Sequence, residues 1–300
     1  MSKNIQNLVK FALAFIVIVI GNYVIVAQNV INGDWKAEYA TKEADKIHIS
    51  FSRKSARGNN QMGSNYDLKD LQGLSLSQVS ANDERVKFSV VREAGKIECE
   101  GKFTNGKGAG TYRFTPNSQF ISDMKSRGFD FEKSNKSDDN DLENRMFAAV
   151  TLNITTALAD DLLSANFGKL EVDDLFKAAI FKIDSKFMSE MKASGFPNLT
   201  MEDLVKARIF KIDAEYVRGL GAVGFNDEPF ESLVKARIFK ITPEFVTEIR
   251  NEGLTNLTIE EYVKMRIFKI DGEFIREAKA DGVPLKVEEL VQKRIGVWRK

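Results

Sequence analysis

The sequence predicts an α+β protein, a small antiparallel β-domain followed by an α-helical hairpin repeat array of α-solenoid type. Two observations carry this. In the C-terminal half one phrase recurs, Ala178-Ala179-Ile180-Phe181-Lys182-Ile183, Ala207-Arg208-Ile209-Phe210-Lys211-Ile212, Ala236-Arg237-Ile238-Phe239-Lys240-Ile241 and Met265-Arg266-Ile267-Phe268-Lys269-Ile270, so the period is 29 residues. Upstream, residues 33–115 instead alternate apolar with polar side chains, the period of half-buried strands. Stacked arrays of this kind bind other molecules more often than they catalyse.

Taken in order, residues 1–27 read as a signal peptide. Lys3 and Lys10 precede an apolar run from Phe11 to Val26, and Ile25-Val26-Ala27 places a small residue where a signal peptidase could cut before Gln28. The run, interrupted by Gly21, Asn22 and Tyr23, is short of the roughly twenty apolar residues a membrane span needs. The expected location is therefore outside the cytoplasm, periplasmic or secreted, with a membrane association only if this segment is uncleaved. The sole cysteine, Cys99, rules out an internal disulfide and a lipid-bearing cysteine near the signal. Its place on an apolar strand face predicts a buried, inert thiol.

The β-domain, 33–115, is read from Ile47, Ile49 and Phe51, from Val86, Phe88 and Val90, and from Ile97, Cys99 and Phe103. Turns are expected at Ser55 to Asn60, at Ala94-Gly95 and at Asn105-Gly106-Lys107-Gly108, giving about six strands. Residues 116–145 are a first half-repeat, since Asn117 to Phe129 matches Asp184 to Phe196 in pattern, followed by a polar loop from Asp130 to Arg145.

From 146 to 300 each copy is a helical hairpin. Thr200 and Thr258 cap the first helix, with acids in its positive first turn. Glu202 and Lys206, Glu231 and Lys235, and Glu260 and Lys264 stand at i,i+4 and are expected to pair within that helix. Asp184, Asp213, Thr242 and Asp271 cap the second helix, with Pro243 in a first-turn position. Gly195, Gly224, Gly253 and Gly282 end it.

One row of charges sits in the apolar face. At about 100° per residue Arg208 falls between Leu204 and Ile212, and Arg237 and Arg266 repeat it. Glu215, Glu244 and Glu273 accompany these arginines seven residues later, whereas Ala179 goes with Lys186 and Val150 with Ala157. The covariation predicts half-buried Arg–Glu pairs that fix hairpin geometry, because a buried guanidinium needs a partner. The competing reading is an arginine row, Arg208, Arg237, Arg266 and Arg294, that grips an acidic ligand. Phe181, Phe210, Phe239 and Phe268 read as core between packed helices; left exposed, they would mark a peptide groove.

Composition excludes most chemistry. With 44 Lys and Arg against 43 Asp and Glu, and eighteen of each sign in residues 199–300, no nucleic-acid footprint exists. His48 and Cys99 are the only residues of their types, so a histidine or thiolate zinc site, a Ser-His-Asp triad and a Cys-His dyad are all impossible. No metal or cofactor is expected. The run Gly106, Gly108, Gly110 joins two strands and fails the strand-to-helix context of a phosphate loop. Asp138-Asp139 lies in the polar loop. A carboxylate-only hydrolase is the one catalytic class left open.

The opening Gly33-Asp34-Trp35, the stretch from Arg92 to Gly110 and hairpins of the type Leu204-Val205-Lys206-Ala207-Arg208-Ile209 together resemble a bacterial extracytoplasmic module. Modules of this kind are found behind the membrane metallopeptidase domains of BlaR/MecR-like antirepressor sensors. The likeness covers residues 33–300 but not the peptidase, whose His-Glu-x-x-His motif is absent here. It therefore implies sensing or protein binding, without proteolysis. The expected function is that of an exported, non-catalytic protein-binding or scaffold protein whose helical surface meets another envelope protein or peptide. The alternative is an envelope sensor whose β-domain holds a small apolar ligand or glycan, in an enclosed pocket lined by Trp35, Phe51 and Phe88. N-terminal sequencing of exported protein should give a first residue near Gln28; an intact N-terminus in the membrane fraction would contradict cleavage.

Overall fold

A computed structural model describes residues 31–39, 45–55, 58–133 and 141–299. The expected signal peptide and the Asp138-Asp139 pair lie outside the described residues. The described chain forms two compact units, one built from residues up to 120 together with the segment ending at 151, the other from 121–133 and 152 onward.

The first unit is a curled antiparallel sheet. Its strands are β1 (Ile31–Tyr39), β2 (Lys46–Ser55), β3 (Gly58–Asp67), β4 (Leu71–Gln72), β5 (Asn82–Arg92), β6 (Gly95–Thr104) and β7 (Lys107–Pro116), in the order β3-β2-β1-β7-β6-β5-β4. Asn105 and Gly106, both at positive φ, make the two-residue turn of the β6–β7 hairpin, where Thr104 faces Lys107. The additional strand is β3, which sequence patterning passed over as turn and loop. It is a sheet edge of Gly, Asn, Ser and Gln with no apolar alternation, and its length is set by ten consecutive pairings with β2.

Trp35 is the centre of this unit, 1% exposed. Its ring meets Phe88 edge-on at 5.2 Å and Phe103 at 5.6 Å, and its Nε1 donates to the Glu100 carbonyl. The glycine run explains itself here. A Cβ on Gly108 would come within 2.7 Å of the indole, and one on Gly110 within 2.1 Å of the Glu100 carbonyl oxygen. These glycines make room for tryptophan, not for phosphate. Helix α1 (Leu76–Ser80) opens with a Ser75–Gln78 capping box and buries Val79.

Helix α2 (Ser118–Ser126) follows β7 and is ended by Gly128 at φ +93, as the match to the later second helices requires. The polar stretch to Arg145 is not loop throughout. Helix α3 (Asp141–Thr151) already includes Asp141 to Arg145, because Met146, Phe147 and Val150 need a helical face to reach the sheet. Phe147 stacks on Tyr112 at 5.3 Å and meets Phe51 and Phe114 edge-on.

The second unit is a stack of helical hairpins. Its first helices are α5 (Val172–Phe181), α7 (Met201–Phe210), α9 (Phe230–Ile238), α11 (Ile259–Ile267) and α13 (Val287–Arg294), each packed on the next. Between them run the second helices α4 (Thr156–Ser164), α6 (Ser185–Ala193), α8 (Ala214–Ala222), α10 (Pro243–Asn251) and α12 (Gly272–Ala280). Thr200 and Thr258 form capping boxes with Asp203 and Glu261. Asp184, Asp213, Thr242 and Asp271 accept the amides of Phe187, Tyr216, Phe245 and Phe274. Buried Leu204, Ala207, Leu233, Ala236, Tyr262 and Met265 join one hairpin to the next.

The lysine–glutamate pairs differ from the i,i+4 expectation. Lys177 reaches Glu202 at 2.7 Å, and Lys206–Glu231, Lys235–Glu260 and Lys264–Glu288 repeat the contact. Each lysine therefore pairs with the glutamate of the following copy. Stacking brings that carboxylate closer than the one a turn away on the same helix. All four pairs are largely exposed, so each is worth well under about 1 kcal/mol and serves chiefly to set register.

Terminal copies have one neighbour where internal ones have two, and the last copy is closed by Trp298, whose amide donates to the Gln292 carbonyl and whose ring lies 5.9 Å from Lys293 Nζ. Hydrogen exchange should show protection within the array declining toward residue 299. Trp298→Ala should fray residues 284–299 first, and uniform protection along the array would contradict the nearest-neighbour picture.

Candidate interaction surface

Arg208, Arg237 and Arg266 are half-buried and Arg294 is exposed, and their partners are not the expected glutamates. Arg208 lies over the Phe187 ring with its Cζ 3.7 Å from the centroid, Arg237 over Tyr216 at 4.3 Å, Arg266 over Phe245 at 3.5 Å and Arg294 over Phe274 at 3.7 Å. Each also donates backward to a carbonyl near the end of the preceding first helix: Arg208 to Lys182 at 2.7 Å, Arg237 to Phe210 at 3.1 Å, Arg266 to Lys240 at 3.0 Å, and Arg294 to Lys269. One guanidinium thus stacks on the preceding copy's second helix and neutralises the negative end of its first.

The predicted Arg–Glu pairing is therefore corrected. Glu215, Glu244 and Glu273 are exposed at the starts of the second helices. Glu244 is held below the usual carboxylate range by hydrogen bonds from Thr242 and its own amide, and no ion pair joins these glutamates to the arginines among the described residues. Side chains in a helix lean toward its N-terminus and the next hairpin lies on the other side, so the arginine finds its partner one copy back. Tyr216 registers the contact: burial pushes its hydroxyl up to about 12, and the Arg237 charge works against that rise.

The signal for this bracket is in the sequence at a different spacing. Within the array each arginine follows its aromatic by 21 residues, or by 20 at Arg294, and the one copy with Ala179 follows the one copy with Leu158 in the aromatic place. At that junction arginine and ring are absent together.

With the arginines committed, the surface rows are apolar and cationic. Ile180, Ile209, Ile238, Ile267 and Ile295 are 49–55% exposed, the most regular exposed apolar feature of the described residues. Each sits at the solvent-facing edge of its helix, about 140° around from the buried leucine. Beside each of the first four lies a half-buried phenylalanine, Phe181, Phe210, Phe239 or Phe268. These phenylalanines were expected in the core; they lie at its margin, because the helix ends there and leaves one ring face without a neighbour. Successive first helices pack about 8–10 Å apart, so five isoleucines make a ribbon of roughly 35–40 Å. Internal repetition of an exposed isoleucine was the available clue, and attention to the phenylalanines next to it hid the row.

Between neighbouring copies the ribbon dips into a groove of about 560 Å³ lined by Ile209, Phe210, Lys211, Arg237, Ile238, Lys240, Ile241 and Thr242.

In the first unit, Trp35, Phe51 and Phe88 are buried and packed against one another's neighbours, so they line no enclosed cavity. A cleft of about 460 Å³ opens beside Phe51, Met62, Tyr112 and Phe147, with Arg53 at its wall 3.8 Å from Glu143. A larger hollow of about 950 Å³ lies over the polar sheet face and is lined by Asp34, Lys87, Glu98, Glu100 and Arg113 among others. His48 is exposed and hydrogen-bonded to Asn65, and burial pushes the Cys99 thiol up, away from its reactive form. No cluster of three or more metal-ligating side chains occurs among the described residues, and none of their helices is singly long and apolar enough to cross a membrane.

No protein-family model matches this chain, and neither a curated protein nor a solved structure matches it.

The bracket predicts a specific coupling. Arg237→Ala should destabilise by about 1–3 kcal/mol, and a double-mutant cycle with Tyr216→Leu should give a coupling of about 0.5–2 kcal/mol. Glu244→Ala should change stability by less than about 0.5 kcal/mol and show no coupling to Arg237. Denaturant melts measure all three, and a strong Arg237–Glu244 coupling would restore the ion-pair account.

Proposed function

We propose that this is an exported, non-catalytic protein-binding or scaffold protein that docks another envelope protein or peptide along the first helices of its array. The observation that carries this reading is the ribbon of five exposed isoleucines at one helix position. A solvated helix position under no further demand drifts to polar residues. Here Lys206, Glu202 and their equivalents show that the same helices supply charge freely on either side. Contiguous apolar surface of this length on a soluble fold marks an interaction site. The resemblance to modules beside membrane sensors fits a partner in the cell envelope.

The alternative, a sensor whose β-domain binds a small apolar ligand or glycan, has the cleft beside Phe51 in its favour. That cleft is walled by Arg53, Gln61 and Asn144 as well as by rings, and it offers one compartment where the array offers a repeated one.

A photo-crosslinking residue placed at Ile209 or Ile238 in cells that make the protein should yield a discrete protein adduct. The same residue at Arg218, exposed on a second helix, should not. Ile209→Ser with Ile238→Ser should abolish the adduct while leaving the melting transition within a few degrees. Equal labelling at Arg218, or none at the ribbon, would overturn the reading.

A further inference from the structure

The residue after each ribbon phenylalanine is a lysine in a conformation that suits glycine. Lys182, Lys211, Lys240 and Lys269 sit at φ +54°, +54°, +56° and +53°, each just past the end of a first helix. The second helices meet the same requirement with glycine, Gly195, Gly224, Gly253 and Gly282, all at positive φ. A left-handed position costs a residue with a Cβ about 1 kcal/mol or more, a strain that natural sequences remove by mutation to glycine or asparagine unless the side chain is used. Four successive copies keep lysine. All four are exposed, and none of them has an ion pair among the described residues, whereas Lys177, Lys206, Lys235 and Lys264 on the same helices are each paired.

Charge around the ribbon is one-sided. The array as a whole is balanced, yet the groove between the copies of Phe210 and Phe239 is lined by Lys211, Arg237 and Lys240 and by no carboxylate, Thr242 standing there where the other copies have the capping Asp184, Asp213 or Asp271. Arg237 is already spent on Tyr216 and a carbonyl. The lysines are free to meet something from outside. A bilayer surface would ask the apolar residues to project beyond the charges; here Ile209, Phe210 and Ile238 line a recess, which suits a chain lying in it.

We infer, building on the docking surface proposed above, that the ribbon takes an extended acidic segment of a partner protein, with carboxylates on the lysines and aliphatic side chains on the isoleucines. The spacing selects its conformation. The lysines repeat with the helices, about every 8–10 Å. A polyproline II segment presents the same face every three residues, about 9.3 Å, whereas a β-strand does so every two, about 6.7 Å. An α-helix returns every seven residues, about 10.5 Å, and drifts out of step over four copies. One carboxylate in every third residue would meet each lysine in turn.

The test uses the full chain and a fluorescent peptide (Pro-Ile-Glu)5, read by anisotropy at several salt concentrations. Binding should weaken at least about tenfold with the neutral peptide (Pro-Ile-Gln)5, and by a similar factor when Lys182, Lys211, Lys240 and Lys269 are all changed to glutamine, with the salt dependence flattened. Equal affinity for the two peptides would overturn the acidic partner and leave the docking ribbon standing, since Ile209→Ser with Ile238→Ser would still abolish both. Failure of the acidic peptide to bind would overturn this inference while the crosslinking result decides the ribbon. Binding to phosphatidylglycerol vesicles without peptide binding would overturn both.

Discussion

One contact repeats through the second unit and sets the position of everything else in it. In each first helix from α7 to α13 a guanidinium lies over a ring of the preceding copy and hydrogen-bonds a carbonyl at the end of that copy's first helix. A hairpin of about twenty residues cannot bury its own apolar face, so the interface between copies holds most of the stabilisation. Aliphatic packing alone would allow neighbouring hairpins to slide, because apolar contacts are non-directional. The arginine removes that freedom. Its plane must match the ring and its N–H groups must meet one carbonyl, and the two conditions together leave a single register.

A fixed register turns every repeated residue into a row. The lysine–glutamate pairs become a ladder between copies, the isoleucines a ribbon and the left-handed lysines a line of charge. The bracket also engages the arginines within the stack, on a ring and a carbonyl of the preceding copy. In the proposed docking mode the cationic contacts fall to the lysines, which lie outside the apolar face. Structural and recognition charges are thus sorted by helix position: inside the stack the planar, aromatic-compatible arginine, at its margin the flexible, strongly hydrated lysine.

Much of this was readable beforehand, for identifiable reasons. Helix starts and stops are local, so Thr200, Asp213, Pro243 and Gly224 announce themselves within four residues, and all act as their types require. Interfaces between copies are not local. The pairing of Glu202 with Lys177 in place of Lys206, and of Arg237 with Tyr216 in place of Glu244, depends on which side the next hairpin packs, and a seven-residue spacing within one hairpin is a more visible pattern than a 21-residue one. In the sheet, strands with a buried face were found from their alternation. Strand β3 was not, since an edge strand with Gly58, Asn59, Asn60 and Gly63 has few apolar side chains to announce it, Met62 and the buried Tyr66 being four residues apart. The exposed isoleucines were overlooked for a related reason: apolar residues in a helix are read as core until a neighbour is known to be missing.

The copy without a bracket shows what the arginine replaces. Ala179 cannot reach back, and Leu158 offers no ring. At that junction Asp161 accepts two hydrogen bonds from Ser185, its amide at 2.8 Å and its hydroxyl at 2.6 Å, tying one second helix to the start of the next. Glu248 makes the same kind of link to the amide of Gly272 at 2.7 Å, in a copy that also keeps its arginine. The carboxylate link is therefore compatible with the bracket, and at the first junction it stands without it. A carboxylate on two donors at a helix start is strong but short-ranged, and it acts on the second helices alone. The arginine joins both helices of one copy to the next, which is why the ribbon and the lysine line stay in step over the copies that carry it, Arg208 through Arg294, and why a long ligand would gain most from that stretch.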